Sequence, residues 1–258
     1  MKKRTLNVVS WSGGKDSTAT IILAHELGIH IDLILISLPW FDRKRKIYAD
    51  HPEHVQWVLD VAIPTFESWG YRVEVLSDPR DYLHWFHKKK YKSKHPEQNG
   101  MKYGFVIGGM CKFNQSKVVP IRNFLKKLFV KTVMFEGIAA DEEDRLKGMH
   151  ENRGHRSLLE ELNIYEVDTY PICRSKNLLS PIYAKRCRQG CWFCPNQSIA
   201  EMAEFKMSYP HLWNELAVLA KETNTATKGF QYGKTFEQVD DMVDEYIRTK
   251  GESSEKSD

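Results

Sequence analysis

Ten residues near the start of the chain, VSWSGGKDST (Val9 to Thr18), gather the groups a phosphate needs. Gly13 and Gly14 remove side chains that would keep an anion off the backbone, Ser12 and Ser17 add hydroxyl donors, and Lys15 adds a full positive charge. An apolar run, Leu6, Val8 and Val9, leads into this turn; Ala19, Ile21, Ile22, Leu23 and Leu27 follow it at helical spacing. A turn joining a strand to a helix presents backbone N–H groups where the positive end of the helix dipole favours an anion. The G-x4-G-K-S/T phosphate loop is a different pattern: here Asp16 follows Lys15, and the earlier glycine is missing. Asp16 is placed to orient the turn or to help hold a magnesium ion.

Two further groups could do chemistry. The five cysteines are Cys111, Cys173, Cys187, Cys191 and Cys194, an odd number with three inside eight residues, which fits metal or redox chemistry better than a disulfide framework. Cys187, Cys191 and Cys194 form C-x3-C-x2-C, a spacing that lets thiolates converge on one centre, with a fourth ligand drawn from elsewhere. Four thiolates suit a 4Fe-4S cluster or zinc, and spacing does not separate them. Cys173 lies in the apolar stretch YPIC and reads as a core residue; the alternatives are a ligand replacing Cys187 or Cys111, or a free nucleophile. The acidic stretch DEEDR, Asp141 to Arg145, offers Asp141 and Glu142 to Mg2+ and Arg145 to a phosphate, and reads equally as a charged helix start capped by Asp141.

These residues need a scaffold, and the first two-thirds of the chain alternates strand-like and helix-like patterns. A strand from Leu6 to Trp11 is followed by a helix from Thr18 to Leu27 closed by Gly28, then a strand from Ile31 to Leu38. Val55, Val58, Leu59, Ala62 and Phe66 share one helical face that stops at Gly70 and is kinked or split by Pro64; YRVEVL, Tyr71 to Leu76, alternates as a strand. A helix over 112–128, a strand over 131–139 and helical patterns over 198–221 and 236–247 complete the reading. The result is an α/β chain, a doubly wound parallel sheet with a small, cysteine-bearing, mostly helical C-terminal segment. The expected divisions are 1–183 for nucleotide binding, 184–248 for the cysteines and helices, and 249–258 as a disordered tail. DEEDR falls at the carboxyl edge of the sheet, where open parallel sheets bind ligands, and Ser37, Gly137 and Glu142 join the candidate nucleotide contacts.

At 258 residues and 41% hydrophobic content the chain supports one good core and a small second unit. No stretch approaches the roughly 18 to 20 apolar residues of a membrane span, and the basic start is followed by too short an apolar region for a signal peptide, so a cytoplasmic protein without membrane contact is expected. The net charge of +4 permits an anionic partner without arguing for one. The lysine-rich stretch 88–104 reads first as a solvated loop, with a nucleic-acid arm or a lid over a phosphate site as alternatives.

SGGKDS, six contiguous residues between a strand and a helix, resembles the pyrophosphate loop (PP-loop) of the adenine-nucleotide alpha-hydrolase-like superfamily, which includes ATP pyrophosphatases, tRNA sulfur transferases and the phosphoadenosine phosphosulfate (PAPS) reductases. Three more stretches resemble the PAPS reductase branch: MCKFNQSKVVPI (Met110 to Ile121), GIAADEEDR (Gly137 to Arg145) and GCWFCPNQ (Gly190 to Gln197), the last followed by Tyr209 to Trp213 in the place of a YP-x-LW stretch. The resemblance runs from about Val8 to Leu216. It implies a doubly wound sheet and an adenine nucleotide, ATP or PAPS, held by Ser12, Gly13, Gly14, Lys15, Asp16 and Ser17. It also implies Cys111 as the fourth ligand and favours 4Fe-4S over zinc. Two departures stand out: the branch's sulfonate-attacking cysteine near the C-terminus has no counterpart after Cys194, and Cys111 stands alone where cluster-bearing reductases carry an adjacent pair.

Three functions follow as expectations. The first is an ATP-using enzyme in which Lys15, Asp16, Asp141 and Arg145 serve adenylation of an acceptor, pyrophosphate leaves, and sulfur displaces AMP. Its partners would be a nucleic-acid acceptor met by Lys88, Lys89, Lys90, Lys92 and Lys94, or a sulfur-donor protein, with a homo-oligomer also open. The second is reduction of PAPS or adenylyl sulfate with Cys173 as the spare thiol. The third is a nucleotide-binding regulator.

Overall fold

The computed structural model describes residues 5–106, 111–186, 189–227 and 229–255. Its strands are β1 (Thr5–Ser10), β2 (Leu33–Ser37), β3 (Trp40–Asp42), β4 (Ile47–Tyr48), β5 (Val73–Leu76), β6 (Lys131–Glu136) and β7 (His155–Arg156). Its α-helices are α1 (Lys15–Glu26), α2 (Pro52–Trp57), α3 (Ile63–Ser68), α4 (Tyr82–His87), α5 (Gln115–Lys127), α6 (Glu143–His150), α7 (Leu158–Glu161), α8 (Thr169–Ser175), α9 (Ile199–Ser208), α10 (Pro210–Ala220) and α11 (Phe236–Glu255). They fall into two units that interleave in sequence, one drawn from 1–39, 50–78 and 116–189, the other from 40–49, 79–115 and 190–258.

The first unit is the α/β part. Its strands are ordered β5-β2-β1-β6-β7 and every pairing is parallel. Residues 33–36, LILI, are all buried, as strands covered on both faces must be. Val8, Leu33, Leu35 and Met134 lie on one face and pack against Ile121, Phe124 and Leu125 of α5. Their alternating neighbours Val9, Ile34, Ile36 and Phe135 face the other way and are wholly buried too. The chain leaves β1 for β2 on one side and returns to β6 on the other, so the crevice beyond the carboxyl end of β1 is a topological switch point.

Boundaries moved for identifiable reasons. Helix α1 begins at Lys15 rather than Thr18, because its first three residues are the polar Lys15, Asp16 and Ser17 and carry no apolar period. It stops as expected at Gly28, whose φ of +64° suits glycine, with the Gly28 and Ile29 amides returning to the carbonyls of His25 and Ala24. The pattern around Pro64 is split: α2 and α3 are separated by a π-helical turn over Val58–Ala62, which ends just before the ring that lacks an N–H. Strand β6 ends at Glu136, three residues short of the expected Ala139, and the helix expected from Lys112 opens with a 3-10 turn, Lys112–Asn114. The 198–221 pattern is two helices broken at Tyr209, before Pro210. Helix α11 runs on to Glu255, through most of the segment expected to be disordered; residues 256–258 lie outside the described ones.

The second unit has its own core, rich in aromatic rings. Tyr82 sits with its ring centroid 4.0 Å from that of Phe193 and 5.6 Å from that of Phe113, and Phe41 lies 4.5 Å from Trp192. Helices α9, α10 and α11 add Phe205, Trp213, Leu216 and Val239 to the same core. Among the described residues no helix is long and apolar enough to cross a membrane.

Candidate functional site

The SGGKDS turn stands at the switch point, between the end of β1 and the first turn of α1. Trp11, almost wholly buried, donates its indole N–H to Thr18 Oγ1 at 3.0 Å and fixes the base of the turn. Ser12 and Ser17 knit it together: their hydroxyl oxygens are 3.1 Å apart, the Ser12 amide donates to Ser17 Oγ and the Gly14 amide to Ser12 Oγ, each at 3.2 Å. Gly14 is the N-cap of α1 and supplies no capping side chain. A serine or aspartate there would satisfy one amide of the first turn itself, whereas glycine leaves that task to another group.

Two glycines are needed for space. Gly13 adopts a φ of +80°, and a Cβ on it would lie 2.6 Å from His54 Nε2. Gly137, just after β6, lies so close to α1 that a Cβ would meet the Ser17 backbone nitrogen at 2.4 Å. The candidate contact Gly137 therefore acts by letting two backbones meet across the switch point.

Lys15 is the centre of the charge pattern. Its side chain is 3% exposed, with Nζ 2.7 Å from Asp16 Oδ1, 2.8 Å from Glu166 Oε1, and 5.2 Å from the centroid of Tyr170. Burial alone would lower the ammonium, but the two carboxylates outweigh it and hold its pKa above the ordinary value. Asp16 Oδ1 also accepts from Thr169 Oγ1 at 2.9 Å. The Glu166 amide donates to Asp141 Oδ1 at 3.0 Å, so Asp141 joins this group through Glu166 and does not cap α6, whose N-cap position is Glu142. Glu142 accepts from the Ala139 amide and pairs with Arg145, which is 57% exposed; the described contacts keep Arg145 with Glu142 and do not bring it to Lys15. Ser37 donates to the Ser116 carbonyl at 3.2 Å.

Three residues without a local sequence signal complete the site. Glu166 and Tyr183 come from segments with no motif, and Tyr183 accepts the Lys15 amide on its phenol oxygen at 3.0 Å. Burial pushes the Tyr183 phenol up to about 12, so it is neutral. His54, the third, is wholly buried beside Gly13; the one hint in sequence was a histidine pair, His51 and His54, around Pro52.

Cys173 takes the core place that its apolar stretch YPIC implies, not that of a free nucleophile. It is wholly buried on α8, donates from Sγ to the Lys15 carbonyl at 3.2 Å, and has its pKa pushed up to about 12, first by burial and then by the Asp16 charge. A thiol held protonated in this way is a structural donor under α1.

The other described cysteines belong to the second unit. Cys191 and Cys194 flank a turn closed by the Cys194 amide on the Cys191 carbonyl at 3.1 Å. Nε2 of Gln197 lies 3.1, 2.9 and 3.2 Å from the carbonyl oxygens of Cys191, Trp192 and Cys194. The Trp192 indole donates to the Tyr48 carbonyl at 2.9 Å and anchors the turn to β4. The exposed Cys111 approaches the same place: burial, and after it the charges of Cys111, Cys191 and Cys194, push the phenol of Tyr82 well above its ordinary value. The candidate ligand Cys187 lies outside the described residues, and among those described no group of three or more donors is placed to hold a metal ion. The three described thiols share one neighbour, Tyr82.

The lysine-rich stretch is a folded loop. Lys90 and Met101 pair through the backbone, as do Tyr103 and Lys88, leaving Lys88, Lys89, Lys92 and Lys94 exposed.

No protein-family model matches the chain. A curated relative, the uncharacterized protein MJ0066 of Methanocaldococcus jannaschii, is 25% identical over 227 residues, 83% of this chain; the chain spans 41% of that relative's length. Among solved structures, the U34-tRNA thiolase NcsA from Methanococcus maripaludis with its 4Fe-4S cluster aligns over 83% of this chain and 67% of its own, at 13% identity and a TM-score of 0.40, a likeness too loose to transfer a site.

Proposed function

We propose that the chain binds ATP through SGGKDS and uses it to adenylate an acceptor oxygen, which sulfur then displaces. The observation that carries this reading is the buried Lys15 at a glycine-cleared helix start, whose N-cap residue brings no side chain, beyond the switch-point strand. In the first step the acceptor oxygen attacks the α-phosphorus, the bond to the bridging oxygen of the β-phosphate breaks, and pyrophosphate leaves. Lys15 and the hydroxyls of Ser12 and Ser17 would balance the charge that grows on pyrophosphate, a task suited to groups fixed in advance. In the second step a sulfur nucleophile attacks the activated carbon and AMP leaves. A magnesium ion accompanying ATP would neutralise phosphate charge, and Asp16 and Asp141 are the carboxylates available to it.

The sequence likeness to PAPS reductases supports the adenine nucleotide, whereas the buried, protonated Cys173 disfavours the reductase reaction, for which it was the spare thiol. The exposed lysines at 88, 89, 92 and 94 support a polyanionic acceptor, nucleic acid. Cys111, Cys191 and Cys194, with Cys187, are proposed as holders of a 4Fe-4S cluster or zinc. The test is calorimetric titration of the anaerobically purified chain with ATP: wild type binds, and Lys15→Ala abolishes binding while its melting curve stays cooperative. Unchanged affinity in that variant would remove the phosphate role given to the turn.

A further inference from the structure

Helix α2 carries a group that the proposed reaction has not yet used. His54 is 0% exposed, and its Nδ1 lies 2.8 Å from the hydroxyl of Ser180, itself buried just before the 3-10 turn Pro181–Ala184. The other ring nitrogen, Nε2, is buried with no hydrogen-bond partner among the described residues. A buried polar atom left in this state carries a desolvation cost that a core position occupied by leucine or phenylalanine would avoid. The orphan nitrogen is aimed at the phosphate turn, since a Cβ on Gly13 would sit 2.6 Å from Nε2 and 2.8 Å from Cε1. The glycine at position 13 thus leaves the ring in contact with the loop backbone. Burial holds the ring down to about 4, so it is neutral near pH 7 and carries one proton. If Ser180 donates to Nδ1, that proton is on Nε2.

Resting on the nucleotide reading above, we infer that His54 is a positioning donor of the phosphate turn, its Nε2–H taking a phosphate oxygen of the bound nucleotide from behind Gly13. The ligand would then satisfy an atom that the protein leaves unpaired. A neutral donor also binds without adding to the charge already supplied by Lys15, so it selects for an oxygen at one place rather than for anions in general.

The geometry of amide side chains gives the test. In His54→Gln the amide nitrogen reaches the place of Nε2, and in His54→Asn it reaches only that of Nδ1. Titration of the full chain with ATP and with inorganic pyrophosphate should show His54→Asn weakened about tenfold or more for both, the loss of a hydrogen bond to a charged group. His54→Gln should stay within about threefold of wild type by the same measure. Adenosine affinity should not change in either. Because both variants alter the core, the wild type supplies an independent readout: with 15N-labelled histidine, the His54 ring should show its proton on Nε2, and that resonance should move on adding pyrophosphate. A proton on Nδ1, an Nε2 resonance indifferent to saturating pyrophosphate, or equal affinities in all three proteins would overturn the inference. Wild type that binds neither ATP nor pyrophosphate would instead overturn the nucleotide reading, and this inference with it.

Discussion

The Lys15 ammonium sits 2.7 Å from Asp16 Oδ1 and 2.8 Å from Glu166 Oε1, beside the ring of Tyr170. A lysine after two glycines is legible as a phosphate ligand, but its partners Glu166 and Tyr170 lie more than 150 positions away, as does Thr169, which holds Asp16, and no spacing rule connects them. The consequence is competition. The ammonium is already paired with Asp16 and Glu166, and the half-exposed Glu166 is the partner a phosphate can displace. Glu166→Gln should therefore tighten ATP binding by up to about fivefold, the scale of one partly screened charge pair. Calorimetry checks this; weaker binding would mean that Glu166 assists the nucleotide rather than competing with it. Cys173 teaches the converse lesson, because YPIC suggested burial correctly, while burial itself removes the reactivity that a lone cysteine invites one to assign.

Among the elements, β2 was legible as an unbroken apolar run buried on both faces, α1 by its apolar helical spacing, and the edge strand β5 by the alternation in YRVEVL. What was not legible is how closely they approach. Gly137 was singled out as a ligand contact, yet its backbone is pressed against Ser17 and Asp16 at the head of α1. Gly137→Ala should lower stability by about 1–3 kcal/mol through overpacking and, by shifting the helix start, reduce ATP affinity as well. Urea denaturation and titration read the two effects, and a variant normal in both would show that the contact relaxes at no cost. The histidines of the α2 segment set a pH limit. Burial depresses both His51 and His54, the latter to about 4, below the ordinary 6.5, so the unfolded chain binds more protons and protonation favours it. Their contribution is complete above pH 6.5 and is lost as pH falls towards 4. Between pH 7.5 and 5.5 the loss should be about 1 kcal/mol for each, seen as a melting temperature several degrees lower. A melting temperature that is flat over this range would contradict the buried, neutral assignment.

For the molecule as a whole, the interleaved units divide the chemistry: the phosphate turn belongs to one, and the described cysteines other than Cys173 belong to the other. Length and composition allowed one core and a small second unit placed at 184–248, but the sequence could not reveal that the second unit draws on 40–49 and 79–115, since those segments carry aromatic residues without a shared period. The two proposed functions should separate by substitution. Lys15→Ala should lose ATP while keeping any iron or zinc measured by elemental analysis, and Cys191→Ser should lose the metal while keeping ATP affinity within about twofold. Loss of both properties in either variant would tie the units together, and no metal in anaerobically prepared wild type would reject the cysteine assignment. The interleaving also sets an order on the ribosome. Phe41, Tyr82, Phe86 and Phe113 are synthesised long before Trp192, Phe205 and Trp213, the residues that bury them. A nascent chain must therefore carry its most aggregation-prone side chains uncovered until the last third emerges, and slowing translation beyond residue 115 should raise its dependence on chaperones.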